Sequence, residues 1–233
     1  MAKFEIDGIT LRIPGRSLRP ALIKALESGL YEWNEAQALK QHLRPGDRLL
    51  DLGAGAGYLS SLAARVIGAG NVVAVEASPD MLEVLRQNLA LNDAGAVRVV
   101  HGAVMPDSHA ADTVEFGMRP AFWSSRVAEG DQPEGTQVVS VPVVRLPALL
   151  DEVRPTIVMM DVEGAEVELC QKPWPESVRL VMMEIHSVRY PQTDLQRLFD
   201  GMSRNGFTYM PWGTRGEVVV FQRIVPGAVT EAR

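Results

Sequence analysis

Two pairs of ionisable residues stand at the carboxyl ends of predicted buried strands. Asp161 and Glu163 follow the apolar run 157–160, and Glu184 and His186 close the next such run. Because residues two apart on a strand point to the same face, each pair can present both side chains together. Three carboxylates and an imidazole would then crowd one rim of a sheet. Since an unperturbed imidazole has a pKa near 6.5, His186 is the first candidate for a general base, and Asp161 is the second as base or orienter.

The same cluster could also serve other roles. Asp161, Glu184 and His186 offer the oxygen and nitrogen atoms that divalent cations use as ligands, but no H-x-x-H or paired-carboxylate signature accompanies them. Spacing alone therefore leaves a divalent cation open. A histidine packed in the core beside Glu184 is the structural alternative for His186. Glu166 and Glu168, slightly farther along, fit a solvated helix face.

A glycine-rich loop follows the apolar residues Leu49 and Leu50. Its sequence, DLGAGAGY over residues 51–58, fails the dinucleotide pattern G-x-G-x-x-G in both registers, and no Gly-Lys-Ser/Thr of a phosphate loop follows. A helix N-terminus after the loop should attract a carboxylate, whereas Asp51 should attract an ammonium group. The methionine end of S-adenosylmethionine carries both groups, so the loop favours that cofactor.

Glu76 closes the next apolar run and can accept hydrogen bonds from two ribose hydroxyls. An acidic residue does the same in nicotinamide-dependent enzymes, so Glu76 does not separate the two cofactors. The glycine spacing and Asp51 favour S-adenosylmethionine. A tight turn without a ligand is the remaining alternative, although three glycines lose more backbone entropy than such a turn requires.

The elements that position these residues are typical of an α/β fold. Short apolar runs alternate with amphipathic stretches from Asp47 onward, which predicts parallel strands between helix layers. We expect one domain: a hairpin turning at Asp7-Gly8 and a helical cover (1–46), a catalytic core (47–225) and a flexible tail (226–233). The core would carry a β insertion at about 105–152, with strands in DTVEFGM and TQVVSVPVV, and Gly213 would separate two final antiparallel strands.

Composition narrows the class of protein. The 233 residues include 46% hydrophobic and 22% charged residues, and the formal net charge is −6. A net negative charge without a basic patch argues against nucleic acid as a partner. A single cysteine, Cys170, fits a reducing compartment, and no export signal or long apolar run stands out, so we expect a cytoplasmic protein away from membranes. The sequence does not indicate an oligomeric state.

Several stretches together resemble one protein family. RPGDRLLDLGAGAGYLS, VVAVEASPDMLEVLRQNLALN, MMDVEGAE at 159–166 and EIHS at 184–187 are similar to the FkbM-type family of class I S-adenosylmethionine-dependent methyltransferases. The resemblance extends from about Tyr31 to Phe221, and the DVEGAE and EIH segments make it specific. One departure is Ala54-Gly55-Ala56-Gly57, where the family often has Ala-Asn-x-Gly, which changes loop detail only.

The resemblance implies a Rossmann-like sheet of seven mostly parallel strands with an antiparallel last strand and helices on both faces. It also implies O-methylation of a hydroxyl on a small molecule or saccharide. The expected catalytic residues are His186, Asp161, Glu184 and Glu163. The expected cofactor-binding residues are Asp51, Gly53, Ala54, Gly55, Gly57, Tyr58, Glu76, Ala77, His101, Gly102, Ala103 and Asp161.

Two other functions stay open at this point. One is a nicotinamide-dependent oxidoreductase on a related fold, and the other is a non-catalytic module that binds the cofactor. Acceptor choice would depend on the insertion and the N-terminal helices. Their aromatic and apolar side chains could roof an acceptor pocket or form small cores of their own. These residues are Tyr31, Trp33, Phe116, Met118, Phe122 and Trp123.

Overall fold

Strands and helices alternate along most of the computed structural model, which describes residues 1–119, 125–128 and 134–228. The strands are β1 (Ala2–Ile6), β2 (Ile9–Ile13), β3 (Leu49–Leu52), β4 (Val72–Glu76), β5 (Arg98–His101), β6 (Ala103–Met105), β7 (Thr113–Met118), β8 (Arg126–Val127), β9 (Gln137–Arg145), β10 (Ile157–Met160), β11 (Leu180–Glu184), β12 (Phe207–Arg215) and β13 (Val218–Arg223). The helices are α1 (Pro20–Ser28), α2 (Trp33–His42), α3 (Tyr58–Ile67), α4 (Pro79–Leu91), α5 (Leu146–Val153), α6 (Glu166–Leu169) and α7 (Gln192–Arg204). The predicted residues Phe122 and Trp123, and the tail from residue 229, lie outside the described part.

The main sheet has seven strands in the order β12-β13-β11-β10-β3-β4-β5. The strands β11, β10, β3, β4 and β5 run parallel, whereas β13 runs antiparallel to both β11 and β12. This confirms the expected class I methyltransferase arrangement, including the antiparallel last strand. Strand order reverses between β3 and β10, and open α/β sheets bind ligands beyond the strand ends at such a reversal.

Alternate residues of the buried strands point to opposite faces of the sheet. Leu49 and Met159 pack with the hairpin and α1 to α4 on one face, whereas Leu50 and Met160 pack with α5 to α7 on the other. Because both faces are covered, the central strands are apolar without alternation in polarity. The two cores hold the strand ends, and with them the loops beyond those ends, in fixed positions.

The N-terminal hairpin turns where the sequence predicts. Asp7 and Gly8 have φ values of 52° and 74°, as a type I′ turn requires. The side-chain amides of Asn88 in α4 and of Asn92, just after its end, form hydrogen bonds with the backbone of β2. The hairpin is thereby fixed to the helix that follows β4.

The segment after β5 differs from the prediction. The strands β6, β9, β7 and β8 form a separate four-stranded sheet, and α5 follows β9 directly. The prediction lacked α5, whose buried Leu146, Leu149 and Leu150 pack on the main sheet. Gly213 also lies inside β12 rather than between the last strands, because β12 is irregular between Met210 and Arg215. None of the helices in the described residues is both long enough and apolar enough to cross a membrane.

Candidate functional site

The glycine loop after β3 lies against the loop that follows β10. Gly53 has a φ of 89°, and a Cβ atom on it would stand 1.8 Å from the carbonyl oxygen of Asp161. The backbone amide of Asp161 also donates a hydrogen bond to Leu52. Only glycine tolerates both this φ and this closeness, so the two loops meet at Gly53.

Glu76 holds the same loop from the neighbouring strand. Its carboxylate accepts hydrogen bonds from the backbone amides of Gly55, at 2.8 Å, and Ser78, at 2.6 Å. Burial raises the pKa of Glu76, and these two hydrogen bonds oppose the rise. Each oxygen keeps acceptor capacity, because a carboxylate offers about four lone-pair sites.

A cavity, here called the loop cavity, opens beyond β3, β4 and β10. Its described lining comprises Tyr31, Glu32, Gly53, Gly55, Val75, Glu76, Ala77, Gly102, Ala103, Val104, Phe116, Ser125, Val127, Asp161, Val162, Glu163 and Ala165. The structure thus brings together seven predicted cofactor residues: Gly53, Gly55, Glu76, Ala77, Gly102, Ala103 and Asp161. This set fits S-adenosylmethionine, because Glu76 offers a carboxylate for ribose hydroxyls and the apolar side chains offer walls for adenine.

Five other predicted cofactor residues lie outside both described cavity linings. Asp51 is buried and accepts a 2.5 Å hydrogen bond from Ser60. The hydroxyl of Tyr58 donates to Asp7 of the hairpin, and a ring nitrogen of His101 lies 3.2 Å from the Ala77 carbonyl oxygen. The remaining two, Ala54 and Gly57, belong to the turn before α3. A direct cofactor contact of these five residues stays a prediction.

A second cavity, here called the acidic cleft, adjoins the loop cavity and has a volume of about 740 Å³. Its described lining comprises Ala21, Leu22, Ala25, Leu30, Tyr31, Glu32, Trp33, Asn34, Glu35, Asp161, Glu163, Glu184, His186, Val188, Arg189 and Glu217. Tyr31, Glu32, Asp161 and Glu163 line both cavities. The cleft thus combines an apolar wall with a floor of carboxylates, and its volume suits a small organic molecule.

The predicted catalytic residues meet on this floor, although not through strand geometry. Asp161 and Glu163 lie beyond the end of β10, and Glu163 has a φ of 58°. Strand alternation therefore does not orient this pair, which corrects the prediction. Burial, and to a smaller extent the negative charge of Glu184, raises the pKa of Asp161. Burial also raises the pKa of Glu184.

His186 stands among four carboxylates. Its Nε2 atom lies 3.3 Å from Glu163, 3.6 Å from Asp161 and 3.8 Å from Glu184, and its Nδ1 atom lies 3.4 Å from Glu166. Burial alone would lower the pKa of His186, but the contacts with Glu163 and Glu166 raise it to about 11. The role of His186 as a general base stays a prediction.

Glu166 departs from the prediction of a solvated helix face, whereas Glu168 is exposed as predicted. The Glu166 side chain is 0% exposed. It accepts hydrogen bonds from the Gly164 amide and from the hydroxyl of Tyr190. A carboxylate buried in this way acts as a fixed support for the imidazole of His186.

Two carboxylates of the site come from the start of α2 and were not predicted. Glu32 lines both cavities and has a left-handed φ of 47°, and Glu35 is 7% exposed on the wall of the acidic cleft. Burial raises the pKa of Glu32 well above its usual value and that of Glu35 to about 7, with the charge of Glu184 adding to the latter. The unusual feature here is the left-handed φ of Glu32. A backbone angle of this kind is not visible in the sequence, so the two glutamates were not predicted.

The aromatic and apolar residues expected to roof a pocket divide between the cavities. Tyr31 and Trp33 line the acidic cleft. Phe116 lines the loop cavity and also forms a small core with Ala103 and Val141, against which Met118 packs. The N-terminal helices, and not the described part of the insertion, therefore form the wall of the acidic cleft.

Curated relatives share short segments with this chain. The ribosomal protein L11 methyltransferase of Pelobacter propionicus is 58% identical over 45 residues, which are 19% of this chain and 14% of the relative. The namesake enzyme of Pelotomaculum thermopropionicum is 30% identical over 136 residues, 58% and 42% of the two chains. The arsenite methyltransferase of Halobacterium salinarum is 41% identical over 63 residues, 27% and 16%. The matches thus span less than half of each of these relatives.

Structural similarity agrees with the sheet order. A putative transferase from Pyrococcus horikoshii superposes with a TM-score of 0.50 at 13% identity, covering 94% of this chain and 70% of that one. Such a likeness shows the fold alone. The model of the methyltransferase FkbM domain matches residues 51–209, from the glycine loop to β12. The chain therefore belongs to the FkbM methyltransferase family.

Proposed function

We propose that the protein transfers a methyl group from S-adenosylmethionine to a hydroxyl group of a small molecule or saccharide. The observation that carries this proposal is the boundary shared by the two cavities, where Tyr31, Glu32, Asp161 and Glu163 line both. A donor in the loop cavity and an acceptor in the acidic cleft would meet at these residues. Holding two reactants in contact supplies much of the rate gain in a transfer of this kind.

The loop cavity is the side on which the donor would bind. Glu76 would accept hydrogen bonds from the ribose, and Gly53 and Gly55 would let the backbone approach the ligand. S-adenosylmethionine supplies an electrophilic methyl group on a sulfonium ion. Family membership favours this donor over the nicotinamide cofactor that Glu76 alone would also allow.

The acidic cleft would hold the acceptor. Its carboxylates can accept hydrogen bonds from several hydroxyl groups, and their negative charge would repel the phosphates of a nucleic acid. As the acceptor oxygen takes the methyl group, it loses a proton. Glu184, at the carboxyl end of β11, would receive that proton in its ionised form, because burial raises the pKa of this group and so makes its carboxylate a stronger base.

The acceptor does not follow from the relatives. Their names mention arsenite and a ribosomal protein, which are unrelated acceptors. In this chain, Ala21, Leu22 and Ala25 of α1 form part of an apolar cleft wall, which fits an acceptor with both apolar and hydroxylated faces.

The test incubates the purified protein with S-adenosylmethionine and a panel of hydroxylated small molecules and saccharides. Mass spectrometry should detect an acceptor heavier by one methylene unit together with S-adenosylhomocysteine. Glu184→Gln should lower kcat by at least about 100-fold with little change in the KM for the donor. Glu168→Gln, an exposed residue of α6, is the matched control and should keep activity.

Two outcomes would overturn this proposal. One is the absence of S-adenosylhomocysteine with every acceptor, in protein that S-adenosylmethionine stabilises against heat, which would indicate a binding module. The other is thermal stabilisation by nicotinamide cofactors and not by S-adenosylmethionine, since a ligand that binds only the folded state raises the melting temperature.

A further inference from the structure

Three ligand-type atoms converge on one point in the floor of the acidic cleft. An oxygen of Asp161, an oxygen of Glu163 and a ring nitrogen of His186 all lie within 4.8 Å of one another. The Asp161 Oδ1 atom is buried and accepts no hydrogen bond from the described residues, whereas the buried Glu163 Oε2 atom contacts the guanidinium of Arg189. A buried acceptor such as Asp161 Oδ1 is costly without a partner, which indicates a missing positive group beside it.

The spacing of these atoms fits the edges of a coordination sphere. Ligands about 2.1 Å from a metal ion stand about 3.0 to 3.4 Å apart in octahedral or tetrahedral geometry. The Nε2 atom of His186 lies 3.3 Å from Glu163 Oε2, within this range, and 3.6 Å from Asp161 Oδ1, slightly beyond it. No hydrogen bond between described residues joins either pair.

The surroundings of His186 supply an independent observation. Its side chain is 10% exposed, and its Nδ1 atom faces Glu166 at 3.4 Å. The fully buried Glu166 is itself held by Gly164 and Tyr190. Metal-binding histidines commonly donate one ring N–H to a carboxylate, so that the other nitrogen points at the metal. The Nδ1 atom of His186 faces Glu166 in this sense, although it forms no hydrogen bond at this distance. Here the other nitrogen, Nε2, points at Asp161 and Glu163.

The charge around this point is also unbalanced. Asp161, Glu163 and Glu184 surround the Nε2 side of His186, and Glu163 additionally contacts the guanidinium of Arg189. Arg189 makes this contact through the Glu163 Oε2 atom and also donates to the backbone carbonyl of Glu163, so it anchors the loop. A divalent cation between Asp161 and Glu163 would share the Glu163 Oε2 atom with Arg189 and neutralise the remaining negative charge.

We propose that Asp161, Glu163 and His186 together bind one divalent cation, with Mn²⁺ as the best match. Two carboxylates suit Mg²⁺ and Mn²⁺ alike, and the imidazole ligand favours Mn²⁺. The role that follows rests on the proposed function: the ion binds the acceptor hydroxyl, lowers its pKa and holds its oxygen at the boundary of the two cavities.

Metal binding is measured directly and without the methyl donor. Protein freed of metal by a chelator is titrated with Mn²⁺ and followed by electron paramagnetic resonance, in which the signal of the hydrated ion falls as the ion binds. We expect one ion per chain, with Asp161→Asn and Glu163→Gln each weakening binding at least about 10-fold. Glu166→Gln, which changes only the support of His186, should weaken it by about 10- to 100-fold.

Glu168→Gln is the matched control, since this glutamate lies two residues beyond Glu166 and is exposed, and it should bind Mn²⁺ as the wild type does. Because a buried variant can fail to fold, the wild type provides a second test with Co²⁺. Binding through Nε2 would give visible absorption and shift the proton resonances of His186. An unchanged Co²⁺ spectrum, or equal Mn²⁺ affinity in all variants, would overturn the site.

Failure of this site and failure of the proposed function are distinguishable. Methyl transfer that persists in chelator, in protein that binds no Mn²⁺, would remove the metal and keep the methyltransferase. Tight Mn²⁺ binding lost in Asp161→Asn, without methyl transfer to any acceptor, would keep the metal site and remove the proposed reaction.

Discussion

Replacing Gly53 with alanine adds a single Cβ atom, which should disturb both the loop cavity and the acidic cleft. The new Cβ would stand 1.8 Å from the Asp161 carbonyl oxygen, whereas ordinary contacts begin at 3.4 Å, so one loop must move by the difference of about 1.6 Å. The φ of 89° adds strain for any L residue. Together, overpacking and strain should destabilise the fold by about 4 kcal/mol, which lowers the melting temperature by about 8 to 16 °C.

Gly29→Ala is the matched control, because Gly29 has a φ of 72° but nothing within 4 Å of the added Cβ. Strain alone should destabilise this variant by about 1 to 2 kcal/mol. Calorimetric unfolding measures both variants, and titration calorimetry measures their affinity for S-adenosylmethionine, which only Gly53→Ala should lose. Equal melting temperatures and equal affinities would refute the close packing of Gly53 on Asp161.

Three other outcomes follow from single contacts. Burial raises the pKa of Asp51 from 3.8 to about 6, so between these pH values the folded state keeps a proton that the unfolded state has lost. The free energy of unfolding therefore falls by about 3 kcal/mol as pH rises through that window. Urea unfolding should show this fall in the wild type and in the control Asp200→Asn, whose residue is exposed. It should not show it in Asp51→Asn. Glu76→Gln should weaken S-adenosylmethionine binding by about 10- to 100-fold in titration calorimetry, because a charged hydrogen-bond acceptor is lost. Tyr58→Phe should lower the free energy of unfolding by about 1 kcal/mol, because it loses the hydrogen bond to Asp7. The affinity for S-adenosylmethionine should stay unchanged. A large loss of that affinity would show that Tyr58 contacts the ligand.

The sequence predicts the central sheet well because each buried strand is a short apolar run with clear ends. It predicts α4 from Pro79 to Leu91 because proline favours the first helical turn and the apolar period is regular. It misses α5 because the helix follows the strand β9 directly, with only Arg145 between the apolar residues of the two elements. Apolar residues lie on both sides of Arg145, so periodicity alone does not separate the strand from the helix.

The sequence predicts part of the site because apolar runs mark the ends of the strands. Asp161, Glu184 and His186 follow apolar runs, so the parallel sheet brings them to one edge. Glu35 lies on a helix far away in the sequence and reaches the cleft only through tertiary packing. Glu166 belongs to a helix of four residues, too short for an amphipathic period, and its burial depends on Tyr190 and His186.

The acidic cleft draws more than half of its described lining from residues 21–35, which precede the matched range 51–209 of the family. If the cleft binds the acceptor as proposed, substitutions in that stretch would alter the choice of acceptor while the sheet and its strand ends stay as they are. Grafting this N-terminal segment from a homologue should then change the molecule that the cleft takes.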